Sequence, residues 1–420
     1  MRTMLLRAFF AALLVAGLST LSNAKTLCVN PGGSSGCYTT ISAAVAAAAD
    51  YDTIKVAPGT YGEDVQIGRP LSLLGSNFEN TIIDATGLPN GIYVDGLDHP
   101  GLRTVVIHGF TIKNANYEGI LVTNAADVTI WGNKVTRNDR SLSPTPEGPT
   151  CPGIPAFETA EGFDCGEGIH LSGVEHSTVA NNRVFENAGG ILLSDDTGAT
   201  HHILVSENTV TDNPFDCGIT LASHPPAMVT GATAPLGVHD NTISKNESSR
   251  NGLAVGEGAG VGIFDSVPGA KNYGNVVIGN KLTNNGLPGV ALHSHTPGQN
   301  LNNNSIIANE ISGNHADTDD AATPGPTGIN IFGVSPVLGT TISQNIIKDE
   351  AVDVAVNTPS MVSVHLNDLL GKMIGLVNLG SGSADATENW WGCATGPGSP
   401  GCSAVSGSNV LVQPWLTTPF

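Results

Sequence analysis

The sequence predicts an all-β solenoid of parallel strands, started by one capping helix. Two observations carry this. A hexapeptide, Asn-x-aliphatic-x-x-Asn, returns along the chain: Asn133–Asn138, Asn182–Asn187, Asn208–Asn213, Asn241–Asn246, Asn280–Asn285 and Asn309–Asn314, with looser copies from Asn345, Asn367 and Asn389. The spacing of the plainest copies is constant, 22 residues from Asn345 to Asn367 and from Asn367 to Asn389, and 23 from Phe110 to Asn133. Asn is a weak residue in helices and in strand interiors. Its repetition is favourable where each amide bonds the same amide one layer away in stacked strands.

The residues around each Asn alternate apolar and polar at period two, as strands with one buried face do. Three before stand Ile130, Val179, Val205, Val238, Val277 and Ile306; two after stand Val135, Val184, Val210, Ile243, Leu282 and Ile311. A Gly-aliphatic pair follows most copies, as at Gly119-Ile120, Gly168-Ile169, Gly190-Ile191, Gly218-Ile219, Gly262-Ile263, Gly289-Val290 and Gly328-Ile329. Each copy is therefore one coil, and its strands pair in parallel with those of the next. Spacings of 26 to 49 residues from Asn133 to Asn345 are the same coil with insertions.

This repeat resembles the right-handed parallel β-helix superfamily, whose best-known members are pectin-lyase-like, over roughly residues 40–416. The resemblance implies a right-handed parallel β-helix with an N-terminal capping helix. It implies no particular chemistry, because function is grafted onto a fold. The chain departs from the enzymes of that superfamily. It has no match to the Arg-rich signatures of pectate lyases, to the Gly-His-Gly and paired-Asp set of polygalacturonases, or to the Asp-Pro-His motif of alginate epimerases.

In order, residues 1–24 read as a signal peptide, with Arg2 and Arg7, an apolar run from Ala8 to Leu21, and the small-x-small site Ser22-Asn23-Ala24. Residues 25–420 form a single domain: 25–53 an N-terminal cap, 54–392 the coils, 393–420 a closing segment. Within the cap, 39–50 is an Ala-rich helix with Thr39 or Thr40 as its N-cap. It covers the open edge of the first coil. Residues 53–61 resemble the first coil of many secreted β-helix proteins. Glu388-Asn-Trp-Trp-Gly392 and Pro414-Trp-Leu416 resemble the closing segment of bacterial β-helix repeat proteins. There the two adjacent Trp act as an aromatic plug or as a sugar platform.

The charge excludes some partners. The chain carries 37 acids against 17 Lys and Arg, a net −20, and two of those cations lie in the leader. Nucleic acid and anionic membranes are disfavoured, and no stretch beyond the leader spans a membrane. An acidic polysaccharide would need bridging Ca²⁺. Seven Cys in an exported chain should mostly pair. Cys28 with Cys37 and Cys393 with Cys402 close a loop at each end, Cys151 with Cys165 closes a third, and Cys217 is a buried free thiol.

The largest insertions, 139–167, 247–261 and 315–327, fall between the second Asn and the Gly-aliphatic strand, so loops along one edge wall a groove over the middle coils. With Ile169 pointing in, His170 points out, and the outward residues there are the candidate acid–base groups: Asp164, Glu167, His170, Asp195, Asp196, His224 and Asp265. Asp216, His293 and His295 are candidate substrate contacts. Asp196 and His224 stand six residues after their Gly on adjacent coils, and carboxylates on adjacent coils have the spacing of a retaining glycosidase. Corner Asp, Ser, His and Thr also serve simply to bond turn backbone. His201-His202 or His293 and His295 are possible metal ligands, since some exported β-helix proteins resemble copper-handling factors. Asp317-Thr-Asp-Asp320 is a candidate Ca²⁺ loop. The leading expectation is an exported protein that binds a polysaccharide in that groove, with cleavage as a lyase or glycoside hydrolase as the catalytic form of that expectation. The alternatives are a non-catalytic surface repeat protein and a periplasmic metal-handling factor.

Overall fold

The structure, a computed structural model, describes residues 24–420 apart from 146–147, 156–164, 224–235, 266 and 319–320. The predicted leader, but for Ala24, lies outside the described residues. Each coil passes through three long parallel sheets of 14, 11 and 12 strands. The sheets are in register coil by coil. Ile130, Val179, Val205 and Ile243 stack in the 14-stranded sheet. Val135, Val184, Val210 and Ser248 stack in the 11-stranded sheet. Ile169, Ile191, Ile219 and Val261 stack in the 12-stranded sheet, which holds the Gly-aliphatic strands. The stacked aliphatics form one continuous core from Val29 to Trp391.

The corners explain the repeated Asn. Each is built from a residue in the left-handed region followed by one whose side chain points inward. Glu207 (φ 57) precedes Asn208 and Asp212 (φ 60) precedes Asn213. The inward amide then bonds the coil below. One ladder runs Asn133, Asn182, Asn208, Asn246, Asn280, Asn309, Asn345, Asn367 and Asn389, with amide–amide links of 2.9–3.1 Å. Each Oδ1 also accepts a backbone N–H of the neighbouring coil, as Asn246 does from Asn208 at 3.0 Å. A second ladder runs Asn138, Asn187, Asn213, Asn251, Asn285 and Asn314 and ends on the Glu350 carboxyl. Burial pushes that carboxyl up to about 7.

One part of the predicted alignment is corrected. Asn241 does not sit between Asn208 and Asn280. It belongs to a third corner, where its Oδ1 accepts from Ile203 N at 2.9 Å and its amide donates to Asn275 at 3.0 Å. The residue between Asn208 and Asn280 is Asn246. The hexapeptide fits more than one corner of a coil, because all three are left-handed turns with an inward residue. The aliphatic Ile243 marks a strand of the 14-stranded sheet, while the 11-stranded sheet takes Glu247–Ser249. There Ser248 occupies the aliphatic place and bonds Gly260 O at 2.7 Å. The insertions move with the register. In sequence, chain is added before the strands of the 12-stranded sheet at 139–166, 252–259 and 315–326, and after one of them at 223–237.

At the start, the helix is shorter than predicted, Ile41–Ala47, with Thr40 capping Ala43 N at 3.2 Å. Ala48 turns to extended backbone, and Ile41, Ala44 and Val45 bury one face on the first coil. At the other end Trp391 is fully buried and completes the core as the aromatic plug. The disulfides are Cys28–Cys37, Cys151–Cys165 and Cys393–Cys402, with Cys217 free and buried. Three disulfides mark an oxidising compartment. No helix among the described residues is long and apolar enough to cross a membrane.

Candidate functional site

The outward face of the 12-stranded sheet is where titratable groups gather. Along its middle coils the outward positions stack as His170, Leu192, Thr220 and Gly262, and beside them as Ser172, Ser194, Ala222, Phe264 and His293. His170 Nε2 lies 2.8 Å from Ser194 Oγ, and that hydroxyl donates to Asp196 Oδ2 at 2.6 Å. With the Ser194 hydroxyl hydrogen directed at Asp196, the imidazole donates to Ser194 through Nε2. His170, Ser194 and Asp196 are all buried. They form an imidazole–hydroxyl–carboxylate relay across two coils. Ser194 is the member the sequence did not single out.

Glu167 opens the His170 strand and is fully buried. Gly189 stands opposite it on the next coil, where a side-chain carbon would sit 2.3 Å from the Glu167 carboxylate. On the coil before, Glu118 occupies the matching place, two residues ahead of Ile120, which pairs with Ile169. It too is fully buried. The repeated tripeptide Glu-Gly-Ile at 118 and 167 was the signal that locates this pair, and coil stacking sets the two backbones about 4.8 Å apart.

Three coils beyond the relay strand, His293 lies on the same face against Phe264 and Phe332, with ring centroids 5.0 and 5.9 Å away. Its Nε2 faces the Asn330 amide at 3.1 Å and the Asp317 carboxylate at 3.5 Å. Burial dominates and holds His293 down at about 3, with His295 second. The ring is therefore neutral and Nε2 accepts from Asn330. The Asn330 amide also donates to Ala321 O at 3.1 Å. Asp317, the head of the predicted Ca²⁺ loop, is thus turned onto His293; Asp319 and Asp320 lie outside the described residues.

The remaining predicted groups separate from this face. Asp265 aligns with Ser223 and Asp195, not with Asp196, given the pairing of Ala222 with Phe264. Asp195 accepts from Ser223 Oγ at 3.0 Å and Gly237 N at 2.6 Å, while Asp265 accepts from Ser223 N at 3.3 Å. Both carboxylates bond the corner where the chain leaves the sheet. Asp216 receives Thr220 Oγ1 at 3.3 Å. It also adjoins Cys217, whose thiol is pushed well up, first by burial and then by that carboxylate. Asp164 and His224 lie outside the described residues. His295 is half-buried beside Phe332.

Towards the first coils the face opens into a cavity of ≈ 610 Å³ lined by Asp64, Gln66, Arg69, Asp95 and His99. Burial pushes Asp64 up to about 6. Tyr93, paired with Gln66 and Leu121, bonds Asp95 and Thr123 at 3.1 Å each. The sequence reading missed these groups because the first coils carry no long insertion. A separate cluster sits at the third corner, away from this face. His176, His201 and His202 have ligand atoms within 4.8 Å of one another.

Two family profiles match parts of the chain. The profile described as "Right handed beta helix region" matches residues 73–234, and that described as "Periplasmic copper-binding protein (NosD)" matches 157–339. Among curated proteins no sequence matches. A DFA-IIIase from Arthrobacter chlorophenolicus A6, in a structure without its lid, superposes with a TM-score of 0.54 at 13% identity over 88% of this chain and 89% of that one. An alginate lyase from Paenibacillus sp. str. FPU-7 gives 0.48 at 11% over 92% and 99%. The mannuronan C-5 epimerase AlgE4 A-module of Azotobacter vinelandii gives 0.49 at 14% over 90% and 94%.

Proposed function

We propose, from the premise that this chain is a right-handed parallel β-helix protein, that it is exported and binds a polysaccharide along the outward face of its 12-stranded sheet. The observation that carries this is the His170–Ser194–Asp196 relay. The coils are already closed by inward Asn ladders, so the stack does not require an outward carboxylate, hydroxyl and imidazole. Holding them out of water costs free energy. Titratable groups sequestered in this way mark functional sites. The open cavity at Asp64 and Asp95 is where a chain-like ligand would reach the same face.

The arrangement suits acid–base work at a glycosidic linkage. Glu167, with Glu118 one coil away, is the carboxylate pair, and a close pair corresponds to a retaining hydrolase. His170, held by Ser194 and Asp196, is placed to take or give a proton. With an acidic glycan, bridging Ca²⁺ would offset the negative charge of the chain. A polysaccharide array followed by a product assay tests the proposal. New ultraviolet-absorbing unsaturated ends identify a lyase, and new reducing ends without them a hydrolase. Binding without either product leaves a glycan-binding protein. No binding to any polysaccharide contradicts the reading.

The profile for a periplasmic copper-binding protein supports a second reading, metal handling, because the residues it covers include the imidazole cluster.

A further inference from the structure

The third corner of the coil carries a feature that neither the stack nor the glycan face requires. Strand positions there pair as Ala126, Glu175, His201, His239 and Tyr273 on successive coils. The residue after each is the left-handed turn residue: Asp127 (φ 53), His176 (φ 50), His202 (φ 56), Asp240 (φ 55) and Gly274 (φ 68). Gly, Asn and Asp are the usual occupants of this region, because other side chains crowd the backbone there. Two adjacent coils instead carry His. In each, the following residue turns inward to hold the corner: Ser177 Oγ accepts from Val128 N at 2.9 Å, and Ile203 N donates to Asn241 at 2.9 Å. Corner closure is therefore done by other atoms, and the imidazoles project outward.

The rings converge. His176 and His202 are exposed and His201 is half-buried. The ring centroids of His176 lie 4.8 Å from His202 and 5.9 Å from His201. His201 and His202 face each other Nδ1 to Nδ1 at 2.8 Å. The Glu175 carboxylate stands 3.6 Å from His201 Nε2. His239 stacks on His201 at 5.0 Å, and Tyr273 stacks on His239 at 4.8 Å. His201 also lines an open cavity of ≈ 460 Å³ together with Arg103, Asn124 and Glu175.

We propose that His176, His201 and His202 form a binding site for a borderline divalent transition metal, with copper(II) held more tightly than zinc(II). This deepens the metal-handling reading and is independent of the glycan face. Three neutral imidazoles suit copper, zinc and nickel rather than calcium or magnesium, which prefer oxygen ligands. The affinity order for such a donor set places copper(II) first. Three protein ligands beside an open cavity leave a coordination position for water or an incoming ligand, the arrangement of sites that exchange or react rather than purely structural ones. The Glu175 carboxylate, within reach of the His201 ring, orients that ligand as an outer partner. The His201–His202 contact is exchanged for metal bonds when the ion enters.

The test is titration of the mature, disulfide-bonded chain with copper(II) and with zinc(II), in wild type and in the double variant His176→Asn/His202→Asn. Asn is well tolerated in the left-handed region, so the corner is retained. Calorimetry should give one tight copper(II) site in wild type, with nitrogen superhyperfine structure in its electron paramagnetic resonance spectrum. The double variant should lose at least about 100-fold in affinity and lose that signature, with an unchanged unfolding midpoint. A variant that binds as tightly as wild type, with the same spectrum, would overturn this site while leaving metal handling to other residues. A wild type that binds neither ion would overturn both. If the double variant unfolds, the single variant His201→Gln, spectroscopically read in the same way, decides instead: an unchanged nitrogen signature overturns the assignment.

Discussion

The inward corners and the outward face of the 12-stranded sheet both bury polar side chains, but for opposite reasons. At the corners, Asn182, Asn208, Asn246 and Asn280 each bond the coil beneath and the backbone of the coil above. Their burial is matched by hydrogen bonds that the stack itself supplies, and the same residue type recurs because each coil poses the same problem. On the outward face, His170, Ser194 and Asp196 bond one another across coils. Among the described residues no other coil repeats that set. Repeated polar burial is a device of folding; unrepeated polar burial away from the core signals a site.

The largest expected effect comes from breaking the corners. Asn246→Leu removes the links to Asn208 and Asn280 and leaves Asn208 N without its acceptor. The expected loss is about 3 kcal/mol, read as a lower midpoint in urea unfolding. A double-mutant cycle sharpens the register. Asn246 and Asn280 should couple, whereas Asn241 and Asn280, on different ladders, should add independently. Coupling of Asn241 with Asn280 would restore the alignment suggested by the hexapeptide alone.

Next comes the end of the second ladder, where Glu350 replaces Asn. Its folded value of about 7 lies above the ordinary 4.5, because burial disfavours the charged form. The folded state then holds the proton more tightly. The stability it contributes is fully present below about pH 4.5 and is lost as pH rises through about 7. Asp353, pushed up by burial, acts in the same direction. Glu350→Gln keeps an oxygen for Asn314 and should gain about 2 kcal/mol at alkaline pH while flattening that fall. An unchanged pH profile of the unfolding midpoint would count against this account.

On the outward face His293 should titrate with the opposite sign. Its folded value, about 3, lies below the ordinary 6.5. The stability it contributes is present above about pH 6.5 and is lost as pH falls towards 3. His293→Asn should weaken that acid sensitivity by about 2 kcal/mol between pH 7 and 5. Nuclear magnetic resonance of the imidazole should show no protonation above about pH 5; a ring that titrates in the ordinary imidazole range would contradict its burial against Phe264 and Phe332.

Much of the fold was legible because it is local and repeated. Phe110, with Ile107 and Ile112, read correctly as a coil although it lacks Asn, because the period-two apolar pattern survives. The end disulfides and the Thr40 cap also follow from short-range chemistry. The misreading at 241–251 arises because Asn241–Asn246 fits the apolar hexapeptide, whereas Asn246–Asn251, which holds the ladder places, has Ser248 where the pattern has an aliphatic. Only the neighbouring coils decide, since a core Ser at 248 is satisfied by Gly260 O and not by anything nearby in sequence. The candidate site was less legible for the same reason. Whether Asp265 aligns with Asp195 or with Asp196 depends on one residue of register across an insertion. Ser194 gives no signal until His170 and Asp196 are placed on either side of it.

The most direct measurement of the central claim is Asp196→Asn, read for both stability and glycan binding. Asn keeps an oxygen for Ser194 and removes the acidic group. The account predicts an unfolding midpoint shifted by less than about 1 kcal/mol and polysaccharide binding or turnover reduced at least about 100-fold. Binding or turnover retained at the wild-type level, or a protein that no longer folds, would instead place the relay among the supports of the coil.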